Sequence, residues 1–179
     1  MNWTITNLKY SKLKLILIFL TIYHTFEYAI NEFGISFEEI SILTRLLITI
    51  PVIILHELVH GATFALFLKS TRSVRFGFEP KYFVIYCQAN GEYSFQKLIT
   101  STLAPLILLT LVLGLVLFSL GITSPLMWMF VFYNTFMSTL DIYNVILISK
   151  TYKTTTMFKL EGFKLYYKEL VMDNEQYEL

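Results

Sequence analysis

Apolar residues in this chain come in long blocks, and neither the two-residue alternation of an exposed sheet nor the one-sided stripe of a soluble helix accounts for them. Leu46 to Leu68, Leu98 to Leu120 and Leu126 to Ser149 are each long enough to cross a hydrocarbon core about 30 Å thick, which takes roughly 20 residues of helix. A shorter run from about Leu15 to Ile30 carries His24 and Glu27 and reads as a further span. The pattern predicts four transmembrane helices, at about 11–31, 43–69, 98–121 and 125–149. Between the second and third, SVRFGFEP and KYFVIYCQA are rich in aromatic and β-branched residues and are divided by Glu79, Pro80 and Lys81, so a β-hairpin is expected over about 72–92. The tail, 150–179, mixes Leu, Phe and Tyr with Lys and Glu, and a short interfacial helix is expected from about Lys159. The expected fold is thus an all-α membrane protein, a single membrane-embedded domain over 1–179 with one hairpin-like insertion.

Composition supports a bilayer as solvent, since only 15% of the residues are charged, against about 25% in ordinary soluble domains. Lys9, Lys12 and Lys14 precede the first apolar run, which no small-x-small cleavage site follows, so an uncleaved signal anchor is expected. Basic residues also set the orientation. The segment after the first span holds Glu32, Glu38 and Glu39 and no Lys or Arg, whereas Lys69, Arg72, Arg75, Lys81 and Lys97 follow the second and Lys150 and Lys153 follow the fourth. Both termini and the hairpin are therefore expected on the cytoplasmic side. Net charge is +1, which gives no sign of nucleic-acid binding, and the single cysteine, Cys87, excludes an internal disulfide and a cysteine-cage metal site.

Three ionisable residues break the second apolar run within HELVH, at His56, Glu57 and His60. An ionisable side chain at bilayer depth costs about 2.5–3.5 kcal/mol on insertion scales, so three in five residues call for a compensating partner. On a helix His56 and His60 share a face, while Glu57 stands about 100° round. That is the H-E-x-x-H arrangement of zinc peptidases, in which two imidazoles bind Zn2+ and the glutamate acts on a water. A polar face satisfied by hydrogen bonds to neighbouring spans would explain the same residues without a metal.

A metal site needs a third ligand, and the fourth span contains one acid, Asp141. Asp141 lies nine residues before Lys150, and His60 lies nine before Lys69, so the groups sit at one level, roughly 14–20 Å from the flanking lysines at about 1.5 Å per residue. Asn134, Ser138 and Asp141 form a polar stripe expected to face the second helix. Asn134 could contact substrate or an oxyanion, or join helices, and His24, at a similar depth, could assist the site or sit in a polar interface. Gly61 is expected to permit a close helix approach, and Pro51 and Pro105 to kink their helices.

HELVHG at 56–61, FGF at 76–78, LAP at 103–105 and STLDI at 138–142 together resemble the small bacterial membrane proteins described as putative zincin peptidases, and in pattern the site-2-protease type of intramembrane metalloprotease. The resemblance runs from about residue 50 to 150. It implies zinc on His56, His60 and Asp141, Glu57 as the catalytic base, peptide or membrane-protein substrates, and the bacterial plasma membrane. Unlike the better-known site-2 proteases, this chain has Ile142 after the acid and no proline near Asn134. A catalytically silent adaptor and a metal transporter are the competing readings, separable by a Glu57→Gln variant and by zinc flux into liposomes.

Overall fold

The computed structural model describes residues 3–169 apart from positions 7, 10, 39, 81–83, 162 and 163. Among these residues four helical rods are long and apolar enough to cross a membrane. The first is α1 (Lys12–Glu32) and the second α2 (Ile42–Leu68). The third joins α3 (Phe95–Pro105), a π-helical stretch (Leu106–Val112) and α4 (Leu113–Ser119); the fourth is divided at Ser138 into α5 (Pro125–Met137) and α6 (Thr139–Thr151). All four lie within a few residues of the expected spans, because a long apolar run is legible locally.

Helix starts and stops follow from short-range chemistry. The hydroxyls of Ser11, Ser41 and Ser94 accept the backbone N–H three residues on, capping α1, α2 and α3. Gly34 and Gly121 take the left-handed backbone conformation, with φ of 65° and 64°, at the ends of α1 and α4. There the N–H of Ile35 returns to Ile30 O and that of Ile122 to Leu117 O, closing each helix in a turn that glycine enters without steric cost.

The expected hairpin is present as β2 (Val74–Glu79) paired antiparallel with β3 (Val84–Ala89), in a register that sets Phe76 opposite Cys87 and Gly77 opposite Tyr86. Lys81, in the expected turn, lies outside the described residues, as does the tail beyond residue 169. The chain then leaves the hairpin for a second sheet. β4 (Gly91–Ser94) pairs with β5 (Thr156–Glu161), β5 with β6 (Lys164–Glu169), and β6 with β1 (Thr4–Ile5), all antiparallel.

Strands β5 and β6 correct the expected interfacial helix. Thr156 and Phe158 are buried on one face of β5 while Glu161 is exposed on the other, so the period is two. What selects the strand is antiparallel pairing with β6, which follows directly in sequence, and with β4, more than sixty residues upstream. Among the described residues the fold is therefore helical with two small antiparallel sheets, one more than expected.

Among the described residues two apolar cores lie at opposite ends of the bundle. Ile30, Ile35, Leu117, Trp128 and Val131 close one end, and Phe64, Tyr93, Leu98, Ile148 and Phe158 join the helices to the larger sheet at the other. Between them lies a group of buried polar side chains, His56, His60, Ser101, Asn134 and Ser138, beside buried apolar residues such as Val52 and Ala104. Outward, α2 presents Leu43, Leu46, Leu47, Ile50, Ile54 and Leu58 as exposed apolar residues.

Candidate metal centre

One turn apart on α2, His56 and His60 both point inward and are buried. Their Nε2 atoms are 3.2 Å apart. Asp141, in the first turn of α6, brings Oδ2 to 3.2 Å from His56 Nε2 and 3.4 Å from His60 Nε2. Among the described residues these three side chains form a group able to hold a metal ion. The break at Ser138 matters here, because Asp141 then sits near a helix N-terminus, where the aligned peptide dipoles favour a carboxylate. Ser138 itself donates its hydroxyl to Asn134 O, one turn back.

Which proton each imidazole carries follows from its other neighbour. His60 Nδ1 lies 2.9 Å from the carbonyl oxygen of Ser101, which only accepts, so Nδ1 donates. His56 Nδ1 lies 3.0 Å from Asn134 Oδ1. Asn134 Nδ2 donates to Pro105 O and to Thr110 Oγ1, both at 2.9 Å, which identifies Oδ1 as the acceptor of the His56 proton. In the neutral rings both Nε2 atoms are then lone pairs. They face each other and the Asp141 oxygen, and that oxygen is buried without a hydrogen-bond donor.

Three converging lone pairs repel unless a cation lies between them. The triangle also has the right size, since bonds of about 2.0–2.1 Å in a tetrahedral site place ligands about 3.3–3.4 Å apart. Two nitrogens and one carboxylate oxygen leave a fourth position open, as in catalytic zinc sites. The residues present fit zinc.

Glu57 occupies the next position round the helix, turned towards β3, with its carboxylate within reach of the Cys87 backbone N–H. The Cys87 thiol is pushed up to about 12 by burial and then by the Glu57 charge. Gly61, expected to admit a neighbouring helix, instead admits the hairpin: a Cβ there would overlap the Phe76 ring and come within 3.3 Å of Cys87 Sγ. Gly61→Val is expected to destabilise the fold by about 1–3 kcal/mol through overpacking, read as a lower midpoint in thermal unfolding in detergent.

Asn134 is fully buried and its amide is committed on both sides, so its place is behind His56. His24 is not brought to the group. Its side chain is 71% exposed on α1, with Nδ1 3.5 Å from Glu27 Oε2. Sequence reasoning missed Ser101, whose contribution is a backbone carbonyl, and Thr110, an ordinary residue in an apolar run.

A cavity of about 500 Å³ lies against the larger sheet, lined by residues that follow the group's own residues in sequence. Phe64, one turn beyond His60, lines it, as do Thr102, which follows Ser101, and Asn144, three residues beyond Asp141. Cys87, Gln88 and Ala89 also line it. Consecutive strand residues point to opposite faces, so three in a row present a backbone edge.

No curated protein and no solved structure matches the chain. A family model described as "Putative zincin peptidase" matches residues 49–156 and so spans His56, His60 and Asp141. With most of its length under that match, the chain belongs to the putative zincin peptidase family.

Proposed function

We propose that the chain is an integral membrane zinc peptidase that hydrolyses peptide bonds within or beside the bilayer. The observation that carries this reading is the convergence of two imidazole lone pairs and a carboxylate oxygen at 3.2–3.4 Å, with a second carboxylate, Glu57, on the adjoining face. Zinc supplies a Lewis acid that lowers the pKa of water towards 7 and polarises a carbonyl. Glu57 takes a proton from the attacking water and returns it to the departing amine nitrogen, so that one C–N bond breaks while one C–O bond forms. His56 and His60, held by Asn134 and by the Ser101 carbonyl, keep their Nε2 atoms aimed at the reacting centre. An extended substrate pairs with the β3 edge along the cavity wall, which requires a helical substrate to unwind first.

The reading is tested by incubating the zinc-loaded chain in proteoliposomes with single-span segments and mapping products by mass spectrometry. Cleavage that a zinc chelator stops supports it, and cleavage indifferent to chelation overturns it.

Topology gives an independent expectation. On this reading the exposed apolar belt of α2 faces lipid, and the basic segments support an orientation with the hairpin and both termini in the cytoplasm. Reporter fusions after residues 35 and 123 are expected to read outside, and fusions after residues 80 and 179 inside. An outside signal at residue 80 would reverse the orientation and move the site to the outer half of the membrane.

A further inference from the structure

We infer that Pro105 and the π-helical stretch it begins are the positioning element of the metal site, serving both histidines at once; this rests on the zinc reading of His56, His60 and Asp141. In an α-helix the carbonyl of residue 101 accepts the N–H of residue 105. Proline has no N–H, so Ser101 O lacks that helical partner. It is this carbonyl that receives the Nδ1 proton of His60 at 2.9 Å. A residue that reads as a helix defect therefore furnishes the acceptor that fixes a ligand's tautomer.

The stretch that follows serves His56. Residues five apart stand about 140° apart around an α-helix and cannot address one partner. A π turn closes hydrogen bonds five residues back, as the N–H of Leu113 does to Leu108 O, and brings such residues to one side. Pro105 O and Thr110 Oγ1 are five apart, and both accept from Asn134 Nδ2.

The direction of every bond in this chain is determined. Thr135 spends its hydroxyl proton on Val131 O, so the Thr110 hydroxyl, 3.0 Å away, donates to Thr135. Thr110 Oγ1 then has only acceptor capacity for Asn134, which must present Nδ2 to the third rod and Oδ1 to His56. His56 is left with its proton on Nδ1 and its lone pair on Nε2. Pro105, Thr110 and Asn134 touch neither metal nor substrate in this account. They set which nitrogen is free to bind, a role in which outer-shell partners typically affect metal affinity about 10–100-fold.

The test is zinc affinity of the purified full chain in detergent, by competition with a chromophoric chelator, for wild type, Pro105→Ala, Thr110→Val and Thr110→Ser. Alanine at 105 restores the N–H and draws the Ser101 carbonyl back along the helix axis. Zinc is expected to bind about 10–100-fold more weakly in Pro105→Ala and Thr110→Val, and close to wild type in Thr110→Ser. Alanine is a far better helix former than proline, so the metal-free Pro105→Ala protein should unfold no earlier than wild type. Affinity falling while apo stability holds is an outcome that a merely structural role would not produce. The chain has three histidines, which makes 15N NMR of the imidazoles tractable, and part of the His60 signal should move to the Nε2–H tautomer in Pro105→Ala. Zinc affinity within twofold of wild type in both Pro105→Ala and Thr110→Val would overturn the inference. If Pro105→Ala fails to fold, the Thr110 pair decides it by the same criterion. Absence of zinc binding by wild type would instead overturn the site reading itself, so the two failures are told apart by different samples.

Discussion

Alanine at His56, His60 or Asp141 is expected to reduce bound zinc from about one ion per chain to background, measured by elemental analysis of the purified protein. Each replacement leaves two protein ligands, which seldom hold zinc tightly, and it also leaves the surviving lone pairs facing a gap at the centre of the bundle. Asp141 is the most discriminating of the three. Its Oδ2 has no other partner, and the acid comes from a different rod, so the metal would tie α2 to α6 across the space between the two apolar cores. Asp141→Asn keeps the size of the side chain and loses the charge, and it should also lose most of the zinc. Stoichiometric zinc retained in Asp141→Ala would mean that the third ligand lies elsewhere.

Glu57→Gln is expected to keep the zinc and the fold while hydrolysis falls by roughly 10²–10⁴, the range for loss of a general base. Glutamine preserves the shape beside β3 and can still accept from the Cys87 N–H, so the hairpin has no reason to shift. What it lacks is a group able to take a proton from water. The comparison with His56→Ala is therefore informative: one variant loses chemistry with the metal in place, whereas the other loses both. Cleavage of a single-span substrate by Glu57→Gln at the wild-type rate would overturn the peptidase mechanism. If neither protein cleaves any substrate tested and a chromosomal Glu57→Gln replacement rescues a deletion strain fully, the adaptor role takes its place.

Both expectations rest on residues that are legible without a structure, and the reason is locality. Four rods appear where apolar runs of span length occur, since a helix satisfies its backbone hydrogen bonds within its own segment. His56 and His60 could be paired from their spacing alone, because four residues on a helix is a fixed geometry. Asp141 stood out by scarcity, as the lone acid in a long apolar segment whose distance from its flanking lysine matched that of His60.

Tertiary contact decided the rest. β5 and β6 are strands and not the expected helix because they pair with each other and are flanked by β4 and β1 from far upstream, and those outer partners leave no mark on either segment by itself. Gly61 makes room for Phe76 and Cys87 of the hairpin, a neighbour that spacing could not name. Asn134 could be placed on the correct face of its helix, yet whether its amide met substrate or a histidine depended on where Pro105 and Thr110 stood on another rod. Hydropathy and helical period are properties of one segment and survive in the sequence; the direction of a hydrogen bond between two rods is a property of the pair, and only the folded bundle contains it.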